Sequence, residues 1–491
     1  MVCFDKFRSK YNLLSAPVKS AFWFTVASFM QRGISVITTP IWTRLFTSEE
    51  FGKFSIFNSW KSILTVFVTF NLAAGVFTRG LLKYEDNQED FVSSMEGLLS
   101  LISLVFLAIY IPLRSFWNSL LSLSTPLILC MFAMMWTETV FAFWAARQQF
   151  NYRYKKLIAI TLSMSLMNPL VGIVCVLFFP NQKVEVRIFS MTILQVIAYT
   201  GFFFVQLSKS HKIIKKDFWR FAILFNLPLV PHYLSQTVLN SSDRIMIGKM
   251  CTEREAGLYS LAYSVAMLLT MLNTSIQQAF NPWLYRKIKA GEYKGIAKSS
   301  YAVLFVVASI NLLFIVFAPE LVRLFAPVEY LEAVWTMPPV TMSVFFMFMY
   351  CLFADFEFYY EKTIFIAVAS VIGATLNVAL NYFFIPKFNY IAAGYTTLIC
   401  YILYVTAHYF AMKIICKKNI GKVQIYNPFV IITISVLFML LGFSVMLLYR
   451  FPIVKYAVLA FCLALLFIFH KRIKQILLQI VEIKNGKIVL R

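Results

Sequence analysis

Two cations stand inside long apolar runs of this sequence. Arg32 lies about fifteen residues into the run 18–42 and Lys61 about ten residues into the run 52–77. A cation near the middle of a membrane-crossing helix costs about 2.5–3.5 kcal/mol on insertion scales, so each needs a reason to be there. A guanidinium is a planar donor fork suited to bidentate recognition of phosphate. Lys61 can snorkel toward the outer end of its run. For Arg32 the structural alternative is an internal salt bridge to Glu138 of the fourth run. Polar stripes at helical spacing accompany them. Ser28, Gln31, Ser35 and Thr38 mark the first run, and Asn58, Thr65 and Thr69 the second. His232, Gln236, Asn240 and Asp243 mark the seventh, and Asn273, Gln277 and Asn281 the eighth. Such stripes bond helix to helix or face a water-filled cavity. Cations on one half and amides on the other suit an anionic, sugar-bearing ligand. Candidate ligand contacts are therefore Arg32, Lys61, Gln31, Ser28 and Asn58 in the first half, and Gln236, Asn240, Asn273 and Gln277 in the second.

Glu138 is a candidate coupling-ion or proton site. Asp355 and Glu357, at the inner end of the tenth run, read as solvated carboxylates available for gating. His232 and His408 are isolated and read as packing residues. Pro228/Pro231 and Pro338/Pro339 remove helical hydrogen bonds and are candidate kinks. There is no phosphate-cradling loop, metal-ligand cluster or nucleophile motif. The eight cysteines form no C-x-x-C pair and act as small apolar residues. The expectation is a protein that is not an enzyme and carries no cofactor. Any active transport would draw on an H+ or Na+ gradient or on supply and removal of substrate.

The elements that must position these residues follow from composition. Of 491 residues, 60% are hydrophobic and 14% charged, and the mean hydropathy is +0.74. A soluble domain carries about a quarter charged residues, and a disordered chain is far less apolar. Lys and Arg number 45 against 22 Asp and Glu, a net charge of +23. A nucleic-acid binder could share that charge but could not stay soluble with so much apolar surface. What remains is a polytopic membrane protein whose positive charge orients it. Fourteen apolar runs of about 20 residues, joined by short loops, are long enough to cross a bilayer as helices. They are continuous rather than alternating, which excludes a β-barrel. With the N-terminus cytoplasmic, most Lys and Arg fall on the inner side, which places both termini inside. Arg187 and Lys183 count among the outer-loop cations. The basic, apolar-interrupted tail 471–491 reads as an amphipathic helix on anionic inner-leaflet lipid.

Segment 47–65 resembles 252–270 at an offset of 205, with seven identities in nineteen, among them Thr47/Thr252, Glu50/Glu255 and Gly52/Gly257. Six runs separate the copies, an even number, so the halves share one orientation in a parallel repeat. The expected fold is all-α, with about fourteen transmembrane helices. Two parallel six-helix bundles, 1–213 and 214–420, precede helices 13 and 14 in 421–470 and the tail 471–491. Such a duplicated layout suits a V-shaped alternating-access transporter.

The stretches Leu227–Ser235, Ser242–Gly248, Ala256–Tyr263 and Asn281–Tyr285, with Arg44–Phe46 and Glu50–Gly52 in the first half, resemble the bacterial polysaccharide transporter family. That family belongs to the multidrug/oligosaccharidyl-lipid/polysaccharide exporter superfamily, beside multidrug and toxin extrusion transporters and lipid II flippases. The resemblance implies a flippase for undecaprenyl-pyrophosphate-linked oligosaccharide repeat units in the bacterial cytoplasmic membrane. It would serve O-antigen, capsule or exopolysaccharide assembly alongside polysaccharide polymerase machinery. It carries the family's Ser-Asp-Arg motif onto Asp243 and Arg244, a structural or gating pair. Many members have twelve helices, which leaves the last pair without an assigned role. A multidrug or cation antiporter on the same fold predicts an anionic cavity. A membrane-embedded polysaccharide polymerase predicts a large catalytic outer loop, and the outer loops here are short.

Overall fold

A computed structural model describes residues 15–468, except 211 and 422–423, together with 481–484 and 487–490. Helix α1 (Ala16–Leu45) starts with Pro17 in its first turn, where a missing N–H costs nothing. Two residues later α2 (Ser48–Val68) begins at a closed capping box. The Thr47 hydroxyl accepts the Glu50 N–H at 3.2 Å, and the Glu50 carboxylate accepts the Thr47 N–H at 2.8 Å. There follow α3 (Val76–Lys83), α4 (Gln88–Tyr110), α5 (Arg114–Leu121), α6 (Thr125–Phe150), α7 (Tyr154–Phe178) and α8 (Lys183–Leu207). Next come α9 (Lys216–Asn226) and α10 (Val230–Met250), joined through a 3-10 turn, Leu227–Leu229. This break coincides with Pro228 and Pro231. Then come α11 (Glu253–Ala266), α12 (Leu268–Lys289), α13 (Ile296–Val316), α14 (Ala318–Phe325) and α15 (Met337–Tyr359). The chain continues through α16 (Thr363–Phe388), α17 (Ile391–Asn419), α18 (Pro428–Leu447) and α19 (Pro452–Ile468). Pro338 and Pro339 do not kink α15, contrary to expectation. They occupy its first turn, where the N–H that proline lacks would have no helical carbonyl to bond.

Each of the fourteen expected runs is mostly helical over its described residues. Among the described residues, ten helical stretches are long and apolar enough to cross a membrane by length and composition. Those that fall short are α1, α2 and α9–α10, which carry the polar stripes, and α19, whose described part has 17 residues. Apolar side chains on the outer helix faces, such as Phe178, Ile197 and Leu447, are exposed, as lipid-facing positions require. Of the tail, 471–480 lies outside the described residues. Beyond it a helix was expected, but β1 (Val481–Lys484) and β2 (Lys487–Leu490) pair antiparallel, with Val481 opposite Leu490.

The chain forms two compact units, 1–245 and 246–491. Helix α9 belongs with the first because Phe218 and Ala222 enter a core with Phe77, Phe91 and Phe143. The Phe77 and Phe143 rings stack at 4.4 Å. In lipid the gain from such a core is close packing rather than exclusion of water.

The repeat extends well past the matching segment. In the second unit the Thr252 hydroxyl accepts the Glu255 N–H at 3.2 Å, repeating the cap of α2. Shifted by 205, the short helix α5 falls almost on α14. Helices α6 and α7 pack on α8, and α15 and α16 pack on α17 in the same way. The paired helices α18 and α19 dock onto the second unit. Helix α18 packs on α13 and α15, and Lys455 of α19 pairs with Glu320 of α14.

Candidate functional site

Helices α1, α6, α7 and α8 of the first unit border an open cavity of about 380 Å³. Gln31, Ser35, Thr38 and Trp42 line it from α1, at spacings of four, three and four residues that put them on one helical face. Thr161, Ser165 and Asn168 repeat that spacing on α7, and the Gln31 amide donates to the Ser165 hydroxyl at 3.3 Å. Phe141 of α6 and Tyr199 of α8 add aromatic walls.

Arg187 of α8 is the charged residue on this wall, and no carboxylate lines it. The side chain is buried, with 6% of the residue exposed. Its Nη1 donates to the Asn168 carbonyl at 2.9 Å and its Nη2 to Asn168 Oδ1 at 2.6 Å. The guanidinium lies 4.4 Å above the Trp42 ring, a cation–π contact strengthened by desolvation. The buried Nε has no partner among the described residues. Gly172 makes room for this arrangement, since a Cβ there would stand 2.3 Å from Nη1. Sequence reasoning placed Arg187 in an outer loop. The helix starts four residues earlier, at Lys183, and so draws Arg187 inward. The signal available was its position one turn inside a run that also carries Glu185 and Lys183 at its start.

Of the two cations expected to face a ligand, one is paired and the other exposed. Lys61 Nζ pairs with Glu138 Oε1 at 2.8 Å, and the Gln195 amide donates to the same oxygen at 3.1 Å. Glu138 therefore neutralises Lys61, not Arg32. Arg32 is exposed on α1 and makes no ion pair with a described residue. Ser28 is exposed beside it. The stripe on α2 is largely self-satisfied. Asn58 donates to its own helix at Phe54, and Ser59, Ser62, Thr65 and Thr69 each donate to the carbonyl four residues earlier.

On α10, the Asn240 amide donates to the Gln236 carbonyl at 2.8 Å and Arg244 to the Asn240 carbonyl at 2.9 Å. Asp243 beside them is buried. In the second unit Asn273 is buried and donates to the Val344 carbonyl of α15, and Gln277 contacts the Cys351 thiol. Asp355 and Glu357 are buried rather than solvated, and His408 is not isolated. Asp355 accepts from Asn281 at 2.9 Å, and Glu357 meets His408 Nδ1 at 2.6 Å. Sequence reasoning missed Glu96 of α4, fully buried and bonded to the Gln206 amide. No group of three or more His, Cys, Asp or Glu could hold a metal ion among the described residues.

Comparison with known proteins agrees with this architecture. Two curated proteins of Haemophilus influenzae, "Lsg locus putative protein 1" and an "Uncharacterized membrane protein", are each 23% identical, over 214 and 224 residues. The alignments cover 41% and 44% of this chain and 52% and 55% of those proteins. The chain thus spans about half the length of the curated relatives it matches. Among solved structures, the lipid II flippase MurJ in an inward closed conformation is similar with a TM-score of 0.69 at 13% identity, over 92% of this chain and 99% of that one. An inward-facing MATE family multidrug resistance transporter of the MOP superfamily gives 0.59 at 11% identity, over 80% and 96%. A MOP superfamily transporter from Pyrococcus furiosus, described as having a binding pocket of reverse polarity, gives 0.52 at 11% identity, over 82% and 96%. At these identities the likeness shows the fold, that of multi-pass transporters and flippases. Residues 228–383 match the MatE family. Residues 18–287, more than half of the sequence, match the family described as "Polysaccharide biosynthesis protein", and the chain belongs to that family.

Proposed function

We propose that the protein is a flippase for polyprenyl-pyrophosphate-linked oligosaccharide repeat units. It moves them from the inner to the outer leaflet of a bacterial cytoplasmic membrane for O-antigen, capsule or exopolysaccharide assembly. The observation that carries this reading is the polarity of the cavity in the first unit. A buried guanidinium sits on its wall among amides, hydroxyls and aromatic faces, with no carboxylate. Pyrophosphate needs a cation with paired donors, and sugars need amides, hydroxyls and aromatic faces. An antiporter for organic cations needs the opposite charge. Family membership and the MurJ-like fold support the same reading.

Asn168 holds the guanidinium of Arg187. A phosphate oxygen is a charged acceptor, and such bonds are roughly twice as strong as those to a neutral amide, so the ligand displaces Asn168 at little cost. The free Nε supplies a further donor. Arg32, exposed one residue from the cavity-lining Gln31, offers a second cation to the approaching headgroup. Transport proceeds by alternating access. The Lys61–Glu138–Gln195 cluster is the coupling element for H+ or Na+, since neutralising Glu138 frees the Lys61 ammonium from its partner.

Purified protein in proteoliposomes should move a polyprenyl-pyrophosphate oligosaccharide across the bilayer, with an Arg187→Lys variant retaining part of the rate. Failure with the cognate lipid together with export of organic cations would overturn the proposal.

A further inference from the structure

A second cavity, of about 650 Å³, opens in the first unit where α6 ends, α7 begins and α8 ends. Four cations line it: Arg153, Lys155, Lys156 and Lys209. None makes an ion pair with a described residue. Three other cations at the same end of the unit are paired. Arg147 meets Glu89 at 3.0 Å, and Asp90 holds Lys212 at 2.7 Å and Lys215 at 3.7 Å. The positive-inside tendency explains cations at this end. It does not explain why four of them gather around one cavity whose wall carries no carboxylate.

The turn that presents them is fixed. Tyr152 takes a left-handed conformation, φ +56°, although a side chain there is unfavourable by about 1–2 kcal/mol. The Arg153 N–H returns to the Gln148 carbonyl and the Tyr152 N–H to Gln149, a Schellman closure of α6. Ser20 of α1 donates to the Tyr152 carbonyl at 3.1 Å. The turn sets Lys155 and Lys156 in the first turn of α7, which contains no acidic residue. Cations at a helix N-terminus oppose the helix dipole. An anion in the cavity would reverse that penalty, facing both the lysines and the dipole. Aromatic rings lead from here toward the Arg187 cavity. Trp144 packs on Phe202 at 4.5 Å, Phe202 on Phe141 at 5.5 Å, and Phe141 stacks on Tyr199 at 4.3 Å.

We infer that this basic cavity binds the phosphate-bearing headgroup of a lipid. Resting on the flippase reading, it is the loading site that receives the substrate's pyrophosphate before the Arg187 cavity does. Two lipid sources share this chemistry, the polyprenyl pyrophosphate and ordinary anionic phospholipid, and the test separates them.

The full chain is placed in nanodiscs of zwitterionic lipid and titrated with a fluorescent polyprenyl pyrophosphate. Each basic residue near an anionic headgroup contributes about fivefold, so K155Q/K156Q should weaken binding about twenty-five-fold. K155R/K156R should bind like the parent, as should K294Q/K298Q, which removes the same charge from exposed positions at the entry to α13 in the second unit. Unchanged binding by K155Q/K156Q, or an equal loss in K294Q/K298Q, would overturn the inference. Thermal unfolding of each variant separates lost binding from lost fold. Competition by inorganic pyrophosphate at equal concentration would assign the cavity to a free anion and overturn the lipid assignment. If K155Q/K156Q binds normally while the parent flips substrate, the loading site fails and the flippase reading stands. If the parent flips nothing but phosphatidylglycerol binding falls in K155Q/K156Q, the headgroup site stands on ordinary phospholipid and the flippase reading fails.

Discussion

The two units set the same helix pairs side by side and fill them differently. Helices α6, α7 and α8 of the first leave a cavity with Arg187 on its wall. Their counterparts α15, α16 and α17 close polar side chains onto one another: Asn381 with Thr396, Asn377 with Thr397 at 3.5 Å, Ser370 with Tyr404 at 2.9 Å. All six of these residues are buried. Amide–hydroxyl pairs of this kind hold helices together in lipid at modest gain. A guanidinium left partly unsatisfied is costly as glue and useful as a receptor. One scaffold occurs twice, and around Arg187 its polar groups line a space, whereas those between α16 and α17 bond to one another.

Four experiments can break or sharpen this contrast. The largest effect belongs to Arg187→Ala, which should slow flipping in proteoliposomes by about tenfold to hundredfold, the worth of a hydrogen bond to a charged group. Asn381→Ala in the second unit should leave the rate alone, and equal losses would erase the distinction between the units. Next is Glu138→Ala. A fully buried pair that loses one partner costs about 3–5 kcal/mol. The Glu138 side chain is 34% exposed, so the destabilisation should be about 2 kcal/mol after screening, read by thermal unfolding in detergent. Replacing both Lys61 and Glu138 with Met should recover most of it. A smaller effect is expected at glycine. Gly172→Ala drives a methyl into Arg187 and should slow flipping several-fold with little change in melting. Gly373→Ala, on the counterpart helix α16, meets the Tyr404 ring at 3.4 Å and should be silent in the same assay. Smallest and matched are the caps. Thr47→Ala and Thr252→Ala should each cost about 1 kcal/mol, and unequal melting shifts would show that the caps are not equivalent.

Hydropathy made the helices legible, because an apolar run of the right length has few other fates in a chain this poor in charge. The repeat was legible at Thr47/Thr252 and Glu50/Glu255 because capping chemistry is local. Pairing across helices was not. Glu138 could be assigned to Arg32 or Lys61 only by knowing which helix faces which, and the distances choose Lys61. Arg187 was lost to a loop because a run edge drawn at the first charge cannot tell a helix that starts just before it from one that starts at it. Asp355, Glu357 and His408 were misread for a related reason. Nearness to a run's end says nothing about the neighbouring helix that buries it. The short helices α3, α5 and α14 were absorbed into loops, being too brief to show a hydropathic signal of their own.

The Lys61–Glu138 pair also constrains how the chain is made. Its members are 77 residues apart, and synthesis proceeds from the N-terminus at about 5–20 residues per second. Lys61 therefore exists for roughly 4 to 15 s before its partner has been translated. Over that interval the second helix carries an unpaired ammonium, and its hydroxyls and amide are already satisfied by its own backbone. Stable release of α2 from the insertion machinery is therefore expected to await α6, which carries Glu138. Biogenesis of the first unit is thus expected to release α2 and α6 into the bilayer together rather than one at a time.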